Sequence, residues 1–180
     1  FPEEEQGSQA YTFDPKNPVP THGGANLFLP SGAFEQREVR EGRDDILVFT
    51  SAPLEHPMEI VGRLRVQLFV SSDAPDTDFT AKLVDVFPAG DDREILMLDG
   101  IQRVKARKSL SEAAPPLESP DQIVEIEIDL WSIAWVLNKG HRIGLHISSS
   151  NYPRFEVNPN TGADHPLEGG EMRKARNRIH

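Results

Sequence analysis

Apolar and polar side chains alternate along much of this chain with a period of two, and proline, glycine and short polar residues interrupt the alternation at close intervals. Val124, Ile126, Ile128 and Leu130 alternate with Glu125, Glu127 and Asp129, the pattern of a strand with one buried and one wetted face. Leu64, Val66, Leu68 and Val70 stand in the same relation to Arg65, Gln67, Phe69 and Ser71, and Ile143, Leu145 and Ile147 to Arg142, Gly144, His146 and Ser148. Two further runs, Ile46 to Thr50 and Phe79 to Phe87, are apolar at both parities and predict strands covered on both faces, the first of them central in its sheet. Ile95 to Leu98 is expected to pair with the second across the turn Pro88-Ala89-Gly90-Asp91-Asp92. Asp99-Gly100 should then break the strand before Ile101 to Leu110 resumes it, with Arg103, Lys105 and Arg107 as a basic face set against Glu125, Glu127 and Asp129. Trp131, Ala134 and Trp135 fall at i, i+3 and i+4. They predict one short helix over 131–137, ended by Lys139-Gly140, with both indoles on a packed face.

Short strands at ~8–12-residue spacing, little helix and many Pro/Gly turns specify an all-β sandwich rather than a parallel sheet with crossovers. No internal repeat is visible, which counts against propellers and solenoids. Residues 1–30 are punctuated by Asp14-Pro15, Asn17-Pro18 and Gly23-Gly24 and predict a linker that becomes an extended docking segment. The sandwich is expected over 31–180. A chain of 180 residues with 37% apolar composition suffices for one domain burying roughly 70% of its unfolded surface. The absence of cysteine excludes disulfides and thiolate metal sites and leaves the compartment open, cytoplasmic or secreted. A net charge of −10 argues against a nucleic-acid partner. No apolar run approaches the roughly 18 residues of a membrane-spanning helix, so no membrane partner is expected either. The opening Phe1-Pro2-Glu3, without methionine, points to a piece of a longer polypeptide.

Several separated motifs share one resemblance: Tyr11 to Gly24 (YTFDPKNPVPTHGG), Val48-Phe-Thr-Ser51, Val70 to Pro88 (VSSDAPDTDFTAKLVDVFP), Asp99-Gly-Ile101 followed by Arg103, and Gly140 to Gly162 (GHRIGLHISSSNYPRFEVNPNTG). In this order they are similar to the C-terminal domain of cocaine-esterase-like and X-Pro dipeptidyl-peptidase-like serine hydrolases. The match runs from Tyr11 to His180. The resemblance implies a jelly-roll β-sandwich, akin to galactose-binding-like domains, packed on an α/β-hydrolase catalytic domain of the same polypeptide. Members of that group include esterases, β-lactam acylases, α-amino-acid ester hydrolases and dipeptidyl peptidases. Relatives continue beyond the segment corresponding to Asn177–His180 into another strand, so the sandwich is expected either to need a closing strand from beyond His180 or to manage without one.

The chemistry of such hydrolases needs a serine raised on a G-x-S-x-G elbow beside oxyanion donors, and no such pentapeptide occurs here. No catalytic residue is therefore expected in this chain, and no cofactor. Of the six histidines, His141 and His146 are five apart on a strand and point to opposite faces; they and His22, His56, His165 and His180 are read as structural or exposed. Asp73, Asp76 and Asp78 are spaced like calcium ligands, but the glycine and distant glutamate of a calcium loop do not follow, so turn capping is expected and no metal site. Asp85, between Val84 and Val86, should be buried and paired. The cluster Arg173, Lys174, Arg176 and Arg178 reads as a solvated face. The candidate site is Leu27 and Phe28 in Gly23-Gly-Ala-Asn-Leu-Phe-Leu29: by resemblance this segment faces the acyl pocket where the domains meet, as an apolar wall of the substrate entrance. Two other functions compete, a stand-alone carbohydrate- or ligand-binding jelly roll and a module for homo-oligomerisation.

Overall fold

A computed structural model describes residues 7–163 and 170–180; His165 lies outside the described residues. Eight strands occur among them: β1 (Gln9–Phe13), β2 (Leu47–Thr50), β3 (Met58–Ser72), β4 (Asp78–Val86), β5 (Glu94–Arg103), β6 (Val124–Leu137), β7 (Arg142–Ser148) and β8 (Ala175–Ile179). Among the described residues helix is confined to one turn, α1 (Arg37–Arg40), and a 3-10 turn at Val104–Ala106.

The pairing follows a single rule. β1 pairs with β8, β2 with β7, β3 with β6 and β4 with β5, all antiparallel, as if the chain were one long hairpin folded at the β4–β5 turn. Rolling that hairpin brings β8 against β3 and β7 against β4, which gives sheets of order β1-β8-β3-β6 and β2-β7-β4-β5. This is a jelly roll. Between the sheets Phe13, Val70, Phe79, Ala81, Ile126, Ile128 and Ile147 are fully buried, and burying each of the larger ones contributes about 1.5–3 kcal/mol. The alternation in β6 comes out as read: Ile126, Ile128 and Leu130 point inward, and Glu125, Glu127 and Asp129 face out. In β7 it does not, since His146 and Ser148, on the face read as wetted, are buried as well.

Four expectations are corrected. The first concerns 131–137, which is not a helix but the second half of β6, paired residue by residue with Met58–Leu64 of β3. Seven residues gain little from helix nucleation, whereas aromatic and branched side chains opposite a free strand gain a full ladder. A bulge between Leu64 and Arg65 lies beside Trp131, whose φ is 71°, and Trp131 is 72% exposed rather than packed. Ile46 to Thr50 is not central: β2 is an edge strand, with Val48 and Thr50 exposed. Asp99-Gly100 does not break β5. Gly100 is a close approach, since a Cβ there would lie 2.5 Å from the Asp129 carbonyl of the other sheet. The basic stripe is not formed either: Arg103 ends β5 and pairs with Asp78, while Arg63, Arg65 and Gln67 of β3 take Asp129, Glu127 and Glu125.

The stretch read as linker supplies β1, with Tyr11 and Phe13 in the core; Pro15, Pro18, Pro20 and Pro30 fall after the strand, where no ladder bond is lost. The segment between β1 and β2 then crosses the outer face of the β2-β7-β4-β5 sheet. Glu35 bridges to Ile95 and Gln36 N–H donates to the Glu94 carbonyl at 2.8 Å. It is this segment that carries Leu27 and Phe28.

Candidate functional site

Lys82 of β4 is in register with Asp99 of β5 and His146 of β7, so the three share the outer face of their sheet, opposite the core residue Ala81. All three are buried because the β1–β2 segment covers them. Burial pushes the Lys82 ammonium down to about 8, with Asp99 opposing the shift. Lys82 Nζ donates to Gln36 Oε1 at 2.9 Å, and Gln36 Nε2 donates to the carbonyls of His22 (2.8 Å) and Phe34 (3.1 Å). Further along, the Arg40 guanidinium grips Glu94 through both oxygens. Burial works to raise the Glu94 carboxyl, and Arg40 first, with His146 beside it, overrides that effect and holds it at about 2. His146 Nε2 lies 3.1 Å from Glu94 Oε2 but without hydrogen-bond geometry.

On this polar bed stands a loop closed at its neck by Gly24 N–H to the Gly32 carbonyl (2.8 Å) and Gly32 N–H to the Gly24 carbonyl (3.1 Å). Gly24 has φ 85°, and a Cβ there would come within 2.8 and 2.9 Å of the Asp99 oxygens, so only glycine fits. Asp99 is held by Arg154 and by Asn151 Nδ2 at 2.9 Å. Inside the loop Asn26 Oδ1 accepts the Leu29 N–H at 2.7 Å, a local side-chain-to-backbone bond that closes the tip on itself. At the tip Leu27 is 93% and Phe28 97% exposed. Two large apolar side chains are thus held out from the sandwich on a hydrogen-bonded stem.

The other candidates resolve into structure. Asp76 accepts Lys105 N–H (2.8 Å) and Asn158 Nδ2 (3.0 Å), and Asp78 accepts Arg103 through both oxygens and Asn158 Nδ2 (2.9 Å). Burial raises the Asp76 carboxyl, tempered by those hydrogen bonds. These oxygens do not cap a local turn but accept from residues distant in the chain, Lys105, Asn158 and Arg103; among the described residues no group of His, Asp and Glu is arranged to hold a metal. Asp85 is buried and paired, with Oδ1 2.6 Å from His141 Nδ1 and Oδ2 accepting the Trp135 indole N–H at 3.2 Å. Trp131 and Trp135 therefore share no packed face. Ser71 Oγ is 3.0 Å from His180 Nε2, but Ser71 is buried on a strand without the elbow or oxyanion donors a nucleophile requires. His22 rests on Phe34, ring centroids 5.1 Å apart, and His56 is exposed. Of the basic cluster read as a solvated face, Arg173, Lys174 and Arg176 are exposed and Arg178 is half-buried. Sequence reasoning singled out Leu27 and Phe28 but not Gln36, Lys82, Asp99 or Arg154. One signal was present in Lys82, a lysine flanked by Ala81 and Leu83 in a run apolar at both parities.

Residues 2–180 match the family described as the X-Pro dipeptidyl-peptidase C-terminal non-catalytic domain. Over 180 residues the chain is 44% identical to the cocaine esterase of Rhodococcus sp. (strain MB1 Bresler), covering 97% of this chain and 30% of that protein. Among solved structures, an aminopeptidase from the marine sediment archaeon Thaumarchaeota archaeon superposes with a TM-score of 0.85 at 26% identity, over 99% of this chain and 32% of its own. An α-amino acid ester hydrolase does so with 0.83 at 28%, over 99% and 31%. The chain thus spans about a third of the length of these relatives. Its jelly-roll topology, the lack of a nucleophile elbow and this match over nearly every residue agree: the chain belongs to the family of X-Pro dipeptidyl-peptidase C-terminal, non-catalytic domains.

Proposed function

We propose that this domain packs on the α/β-hydrolase catalytic domain of the same polypeptide, a serine hydrolase of ester or amide bonds, and that Leu27 and Phe28 form an apolar wall of the substrate entrance. One observation carries the reading: both side chains are almost fully exposed at the tip of a loop whose neck is fixed by backbone bonds and a glycine seat. Covering them gains about 1.5–3 kcal/mol for each side chain, and a rigid stem avoids much of the ordering entropy that docking would otherwise cost. An apolar wall has no chemistry of its own and acts by sorting acyl groups by shape. In the full-length polypeptide, Phe28→Ala is expected to lower kcat/KM for an aromatic acyl ester about ten-fold relative to the acetyl ester of the same alcohol, on the scale of a changed apolar pocket. Equal losses for the two esters, or none, overturn the entrance role.

A further inference from the structure

We propose that Gln36 and Asp99 are positioning residues that set where the Leu27–Phe28 tip stands. The inference rests on the entrance reading and adds the residues that hold the wall in place. A tip whose two large side chains are 93% and 97% exposed has little packing of its own, so its position follows from its stem.

Gln36 is 1% exposed, and its one amide spans both arms of the stem, donating to the His22 carbonyl on the way in and to the Phe34 carbonyl on the way out. The orientation of that amide is determined by Lys82, whose ammonium has only donors and therefore requires the Gln36 oxygen. Asp99 supplies the second anchor, because its carboxylate forms the seat in which Gly24 lies. Arg154 fixes that carboxylate by an ion pair and is itself tied to the stem, its N–H donating to Thr21 Oγ1 at 3.1 Å. Residues on either side of the neck are thus bonded to two strands, β4 through Lys82 and β5 through Asp99. Gln36, Lys82, Asp99 and Arg154 form a continuous route by which the sandwich transmits its geometry to the tip.

The test uses the full-length polypeptide with three variants. Gln36→Glu keeps the shape and the Lys82 partner but removes both donors to the stem; Gly24→Ala forces the neck off its seat; Phe28→Ala removes the wall itself. Gln36→Glu is expected to speed amide exchange at 25–31 at least ten-fold at a temperature well below melting, with the core strands unchanged. Both stem variants are expected to change the aromatic-to-acetyl ratio of kcat/KM several-fold, mainly through KM for the aromatic ester, and to have less than half that effect when Phe28 is already alanine. A change in ratio that is as large without Phe28 as with it overturns the proposal, as does a ratio unchanged by Gln36→Glu when Phe28→Ala moves it. If Phe28→Ala leaves the ratio unchanged, the entrance reading has failed and amide exchange decides the anchoring alone: faster exchange supports it, unchanged exchange overturns it. Should Gly24→Ala fail to fold, Gln36→Glu carries both readouts.

Discussion

Asp85 of β4 binds His141 Nδ1 at 2.6 Å through one oxygen, and through the other, at 3.2 Å, it accepts the indole N–H of Trp135 on β6. One buried carboxylate thereby joins the two sheets of the sandwich beyond the reach of any ladder bond. Asp85→Ala would leave an imidazole and an indole N–H without their shared acceptor, in a place that is 3% exposed at Asp85. The expected loss is about 2–4 kcal/mol in urea unfolding of the chain. A loss below about 0.5 kcal/mol, the scale of an ordinary surface change, would show that the carboxylate is not a tie between sheets.

Stability should rise with pH between about 8 and 10.5, and Lys82 should cause it. Its folded value is depressed to about 8 from an ordinary 10.5, so in that window the unfolded chain binds the proton and the folded chain does not. The contribution is fully present above 10.5 and disappears as pH falls through 8; its scale is about 3 kcal/mol at most. Above pH 10 the phenol of Tyr11 works the other way, because burial holds it well above its ordinary 10.0 and the unfolded chain ionises first. Comparing melting temperatures of wild type and Lys82→Met from pH 7.5 to 10 isolates the lysine. Parallel curves would contradict the assignment.

In acid the corresponding group is Glu94. Its carboxyl is held at about 2 against an ordinary 4.5, since Arg40 and, after it, His146 overcome the effect of burial. The stability it contributes is complete above pH 4.5 and is lost as pH falls toward 2. Glu94→Gln should therefore lower the melting temperature at pH 7 and leave it closer to wild type at pH 2.5. An equal difference at both values would assign the acid limb to other carboxylates.

How far the fold could be read from residues depends on where each answer lies. Val124 to Leu130 reveals its sidedness because the buried face is written into every second residue. The next seven residues fit periods of 2 and 3.6 equally, and what decides between them is β3, a partner distant in the chain. Gly100 reads as a break only while the Asp129 carbonyl above it is unknown. Leu27 and Phe28 are reached only through the family resemblance, not through any pattern in the residues, and Gln36 owes its role to Lys82, 46 positions away. Alternation locates strands, but a polar network that forms on the back of a sheet leaves only one trace in sequence, a charge where none is expected.

Trp131 combines two features that rarely coincide, a φ of 71° and 72% exposure. For a bulky side chain the left-handed region costs roughly 1–2 kcal/mol, and little packing offsets it here. What holds the residue is Asp129, whose Oδ1 accepts the Trp131 N–H at 3.0 Å while the carboxylate also pairs with Arg63. The acid thus stabilises the bulge from the strand side and leaves the indole on the surface. Trp131→Gly removes the backbone cost, keeps the N–H that Asp129 binds and gives up little buried area, so the variant is expected to melt at a temperature equal to or a few degrees above wild type. Asp129→Ala, by contrast, should lower it, since the N–H and Arg63 both lose their acceptor. If Trp131→Gly is instead destabilised by more than about 1 kcal/mol, the indole is making contacts that its exposure does not suggest, and the bulge exists to place it.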